Sequence, residues 1–162
     1  MPPYLTSGTS SPVVNGALPT VLWPGDEKYL FGTGPNTPGI IPAPNDANVV
    51  YEAVTVGERS IAIALAPRPG GGAPPGLMVQ VFANANPGAA EIDVQDAAVD
   101  ADGAYITPTG SAAYKLTVWT QLGGSGIWTS YAELQPEGAG FITLKVIANP
   151  NAVQFTAKVK YV

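Results

Sequence analysis

The chain has 162 residues, 12 acidic and seven basic side chains, a net charge of −5 and no cysteine or histidine. Without cysteine there is no disulfide framework or thiolate metal site, and without histidine the commonest general base and transition-metal ligand are missing. Seven scattered cations make no basic tract for a phosphate backbone, and no apolar run reaches the roughly 18–20 residues that span a bilayer.

Residues 1–48 carry nine prolines, almost no charge and no sustained hydrophobic period. Each proline removes a backbone donor and holds its predecessor extended. The segment reads as an extended arm, with Val49 opening a separate folded domain over residues 49–162. Two short pairable pieces interrupt the arm, Thr20 to Trp23 and Lys28 to Phe31, with a turn at Pro24-Gly25-Asp26. The arm holds apolar side chains with no pattern that buries them together, so it is expected to dock on another chain. Leu22, Trp23, Tyr29 and Phe31 are the candidate anchors.

From Val49 onward, short alternating runs are separated by turn residues. Val49 to Val56 is β-branched. Ser60 to Ala66 places Ile61, Ile63 and Leu65 on one face. Pro67 to Gly76 is a loop, and Leu77 to Asn84 is a strand closed by Asn86-Pro87-Gly88. Ala90, Ile92 and Val94 then alternate with Glu91, Asp93 and Gln95. Asp102-Gly103 marks a turn before Ala104 to Thr107. Tyr114, Leu116 and Val118 oppose Lys115, Thr117 and Trp119. A Gly-rich turn at residues 123–126 leads to Ile127–Leu134. Ile142, Leu144, Val146 and Ala148 share one face of the next strand. In the last, Phe155, Ala157, Val159 and Tyr161 alternate with Thr156, Lys158 and Lys160.

Eight or nine such strands and no helix imply an all-β, two-sheet antiparallel β-sandwich, jelly-roll or immunoglobulin-like, carrying an extended N-terminal arm. Phe155, Val159, Leu144, Val146, Leu116, Val118, Ile61 and Ile63 are expected in its core, with Phe155→Ala costing about 3–5 kcal/mol. Lys158 and Lys160 are expected on the wet face.

The candidate chemistry is sparse. Asp100 and Asp102, at the end of an acidic run, are oxygen ligands of the type calcium takes, but the EF-hand spacing is not met and an Asp-Gly turn explains them. The glycine runs at residues 70–72 and 123–126 precede no helix, so they are turns and not phosphate cradles. Trp119 and Trp128 flank one turn, with Tyr114 and Tyr131 nearby. They suit sugar stacking, a protein contact or a place under the arm. No acid–base set stands out, so no catalysis, cofactor or metal is expected.

Two segments bear on family. One runs from Phe82 to Tyr105 and contains Pro87-Gly88, Glu91-Ile92-Asp93-Val94-Gln95 and Asp100-Ala101-Asp102-Gly103-Ala104-Tyr105. The other runs from Ile142 to Val159 and contains Asn151-Ala152-Val153 and Thr156-Ala157-Lys158-Val159. They resemble small structural proteins of tailed bacteriophages, in which such strand and turn sequences recur in a β-sandwich. Lys145 stands where that pattern often has an arginine, and residues 1–48 lie outside it. The resemblance implies a virion component, a capsid decoration (cement) protein or a minor head or tail protein, made in the host cytoplasm. It would bind itself as a dimer or trimer and the major capsid or other virion proteins, with no nucleic-acid or membrane partner. A carbohydrate- or host-surface-binding module is the alternative, and a pilus or surface-layer subunit the third class. The low charge and the arm point the same way, because lattice proteins work by buried contact area.

Overall fold

In a computed structural model, the described residues are 20–35, 39–65, 76–99, 105–106, 114–134 and 141–162. They form twelve strands and no helix. In chain order these are β1 (Val21–Leu22), β2 (Glu27–Phe31), β3 (Glu52–Ala53), β4 (Ile63–Leu65), β5 (Leu77–Ala83) and β6 (Glu91–Val99), then β7 (Tyr105–Ile106), β8 (Tyr114–Leu116), β9 (Thr120–Gln121), β10 (Trp128–Leu134), β11 (Phe141–Ala148) and β12 (Gln154–Tyr161). One sheet has the order β1-β4-β11-β6, with β7 and β8 both pairing β6. The other runs β2-β12-β5-β10-β9, with β3 also pairing β12. Every pair is antiparallel except the short β1–β4 contact.

The chain crosses between the sheets at seven of the eleven connections. Set β2-β12-β5-β10 against β4-β11-β6-β8 and the order is that of an eight-stranded jelly roll. The immunoglobulin-like alternative is thereby set aside. The core lies between the sheets. Leu77, Val79 and Val81 of β5 and Phe155, Ala157 and Val159 of β12 face Ile92 and Val94 of β6 and Ile142, Leu144 and Val146 of β11. Strict alternation in these long strands makes one face apolar, and burying it supplies most of the fold's stability.

The expected boundary at residue 48 does not separate an arm from this body. β1 and β2 take edge positions in the two sheets, and Leu22, Leu30 and Phe31 are buried in the common core. β2 contains an irregularity: Ala157 pairs with Phe31 but Lys158 with Tyr29, leaving Leu30 as the extra residue. That bulge lets Leu30 and Phe31, adjacent in sequence, both reach the core.

The proline-rich stretch after β2 is tied down by polar side chains. Tyr29 Oη donates to the Pro35 carbonyl at 3.1 Å and Tyr51 Oη to that of Pro42 at 2.7 Å. Thr33 and Val50 exchange backbone hydrogen bonds at 3.0 and 2.9 Å. Gly32 approaches so closely that a Cβ there would stand 2.2 Å from both Thr156 Oγ1 and the Val50 carbonyl, and its φ of +67° also demands glycine.

Two expected core positions are exposed. Arg59 pairs with Lys145 and Ile63 with Ile142, four steps on one strand against three on the other. The extra residue breaks the parity between Ile61 and Ile63, so Ile61 faces out while Ile63 is fully buried. Val118 is 77% exposed because β8 ends at Leu116, and it is Trp119 that turns inward.

Lys158 was expected on the wet face and is only 4% exposed. Its parity is as expected, opposite Val159. The outer face of β12 is covered there by residues 39–41. Lys158 Nζ lies 3.2 Å from Glu27 Oε2, donates to the Ile40 carbonyl and sits 5.6 Å from the Phe82 ring centre. Glu27, also 4% exposed, accepts from Gly39 N at 3.2 Å. A buried, hydrogen-bonded ion pair thus fastens β2 and the loop beyond it to the last strand. Lys160 is half-buried.

Tyr51, which holds the same loop through the Pro42 carbonyl, gives the stability a pH dependence. Burial, and then the neighbouring Tyr29, pushes its hydroxyl up to about 12 from 10.0. Below the lower value both states hold the proton and the contribution to stability is complete. Between the two, only the unfolded chain releases it, so stability falls as pH rises through that window. Melting temperature should therefore drop from about pH 10 to 12, and Tyr51→Phe should flatten the drop in a paired thermal and tyrosinate-absorbance titration.

Candidate interaction surface

The six residues singled out as contact anchors do not converge. Leu22 and Phe31 belong to the core. Tyr29 is half-buried and engaged with Pro35. Trp119 packs on Phe155 with ring centres 5.7 Å apart, and its Nε1 donates to the Ala90 carbonyl at 3.0 Å. Trp128 lies against the core beside Ala83, on the inward side of β10. Trp23 alone is exposed.

The structure instead brings together residues around the open edge of the sandwich, where β8 of one sheet approaches β10 of the other. A groove of about 630 Å³ opens there, lined by Met78, Gln80, Tyr114, Val118, Leu122 and Tyr131 among others. Its parts come from local rules. In β10, Trp128, Ser130 and Ala132 take the inward parity, which turns Thr129, Tyr131 and Glu133 outward. In β5 the same rule turns Met78 and Gln80 out. Beyond β8 the loss of strand geometry frees Val118. Tyr114, Val118 and Tyr131 are all large and exposed, a denser apolar display than scattered surface residues provide.

The edge of β10 adds backbone to this surface. β9 pairs only with Trp128 and Thr129, so from Ser130 to Leu134 the outer edge of β10 has no strand partner among the described residues. An open edge beside an apolar groove is equipped to take an extended peptide. The backbone supplies affinity and the groove selects side chains. Tyr131 was legible as an outward aromatic from the alternation of β10. The groove itself was not, because its walls are remote in sequence.

One charged cluster borders the groove through Lys115 and extends onto the outer face of the other sheet. Lys115 Nζ contacts Glu91 Oε1 at 2.7 Å and Asp93 Oδ1 at 3.5 Å. Burial raises the Asp93 carboxyl above its ordinary range against the pull of Lys115, whereas the hydrogen bond from Lys115 lowers Glu91. The ammonium fills the position between the carboxylates, making this a structural ion cluster. No group of three or more metal-binding side chains occurs among the described residues, and Asp100 and Asp102 lie outside them. No helix among the described residues is long and apolar enough to cross a membrane.

Neither protein-family models, curated proteins nor solved structures contain a match to this chain.

Proposed function

We propose that this chain is a virion structural protein, specifically a capsid decoration protein that stabilises a phage head by protein–protein contact. The observation that carries the reading is the groove between β8 and β10. It joins exposed Tyr114, Val118 and Tyr131 to an unpaired strand edge, which is how a sheet receives another polypeptide. The sequence resemblance in Phe82 to Tyr105 and Ile142 to Val159 supports it from a separate direction.

The fold alone does not choose. Jelly rolls serve both viral capsids and lectins. The sugar reading rested on Trp119 and Trp128, which are partly buried and packed against the core, Trp119 on Phe155, so neither is a freely presented stacking face. The groove sets Met78, Val118 and Leu122 among polar side chains such as Gln80, Lys115 and Thr129, and what favours a polypeptide over a sugar is the β10 edge beside it, which has no strand partner among the described residues. A protein segment uses such a lining directly, and binding it stabilises the assembled state by mass action.

The test is incorporation. Particles assembled with Tyr131→Glu in place of the normal chain should retain at least about tenfold less of it through sedimentation, since a charge would then be desolvated in the contact. Tyr131 is 59% exposed, so the variant should melt normally. Equal retention of variant and normal chain would remove the groove from the function.

A further inference from the structure

The occupant of the groove can be named. We infer that it is the N-terminal segment of a second copy of this chain, entering with Tyr4 and Leu5. This rests on the reading above only in taking the groove as a protein contact.

Three observations carry it. The first is chemical match. The nineteen residues before Thr20 include no charged side chain, and between Pro3 and Pro12 they run Tyr4-Leu5-Thr6-Ser7-Gly8-Thr9-Ser10-Ser11 with every backbone N–H present. The unpaired edge of β10 needs those donors and acceptors, and the Met78, Val118 and Tyr131 lining needs an aromatic or aliphatic side chain. Proline on either side of this stretch favours extended geometry in any chain, and such a bias lowers the entropy lost on docking.

The second is where the segment starts. The Thr20 carbonyl accepts from Ala64 N, which fixes the chain's departure at β1. β1 is one edge of its sheet and β8, a wall of the groove, is at the other, four strand intervals away in the order β1-β4-β11-β6-β8. At about 4.8 Å per interval, exit and groove are roughly 19 Å apart across the sheet. An element leaving one edge and a receptor at the opposite edge are the two halves of a heterologous contact. A neighbour placed edge to edge presents its groove next to the exit, and repetition closes a ring when the rotation allows.

The third is reach. The residues from Leu5 to Thr20 span about 45 Å in polyproline geometry. That is ample to pass from the exit of one copy along the β10 edge of the next.

The experiment needs no particle. Sedimentation velocity compares the full chain, a chain lacking residues 1–19 and full-length Val118→Asp. The full chain should associate, and each variant should dissociate at least about tenfold more readily. Both variants should melt as the full chain does, since Val118 is exposed and residue 20 precedes every described strand. Mixing the two variants should then yield a one-to-one complex, because the truncated chain keeps its groove and Val118→Asp keeps its arm. A full chain that stays monomeric overturns the inference, as does a mixture in which the folded variants ignore each other. Normal self-association by both variants with loss of particle retention would overturn the inference and leave the proposed function standing. Complementation by a chain that never enters particles would do the reverse.

Discussion

Lys158→Met should destabilise the protein by about 3–5 kcal/mol, a large fraction of the total for a domain of this size. The substitution removes one half of a buried pair and strands Glu27, which is 4% exposed and keeps the Gly39 amide as its hydrogen-bond partner among the described residues. It also frees the Ile40 carbonyl. Glu27→Leu should cost a similar amount for the reciprocal reason. The double variant should recover much of the loss, because two well-packed apolar groups no longer bury an uncompensated charge. Urea titrations of the four proteins give the coupling directly. Additive losses in the double variant would mean that the two side chains act separately.

A chain beginning at Val49 should fail to fold. It would lose Leu22, Leu30 and Phe31 from the core, each contributing roughly 1.5–3 kcal/mol of burial. It would also leave Lys158 without Glu27 and the edge of β12 uncovered. Those losses together are comparable with the roughly 5–15 kcal/mol that holds a domain folded. A chain beginning at Thr20 keeps all of these contacts and should melt with the full protein. Calorimetry on the two truncations separates the outcomes, and a cooperative transition in the shorter one would contradict the assignment of β1 and β2 to the sandwich.

The parts of this fold that could be read from the sequence are those where one long strand is buried on one face. β5, β11 and β12 show seven or eight residues of alternation, and the period of two then decides which side chains are inside. Position 61 was misread because a single extra residue opposite β11 reverses parity without marking the sequence. Val118 and Trp119 were exchanged because the strand ends three residues before the tryptophan, and nothing local says where pairing stops. Lys158 has the outward parity its sequence suggests. What buries it is a proline-rich loop more than a hundred residues earlier, which has no period to read. The same holds for Leu22 and Phe31: apolar residues in a patternless stretch looked unpartnered, yet their partners are in the chain's own sheets.

The candidate surface was hidden for a related reason. Met78, Tyr114, Val118 and Tyr131 come from separate strands and loops, and only the jelly-roll crossing of β8 and β10 brings them to one edge. The aromatic residues that attracted notice, Trp119 and Trp128, are partly buried and pack against the core. The less conspicuous tyrosines are left at the surface.

The proposed role is to occupy sites on a pre-formed protein lattice. The most direct measurement titrates the purified full-length chain onto particles that lack it and follows co-sedimentation to saturation. The account predicts a plateau at a fixed ratio to lattice subunits, with the particles more resistant to heat once it is reached. No uptake, or uptake that rises without a plateau, would contradict it.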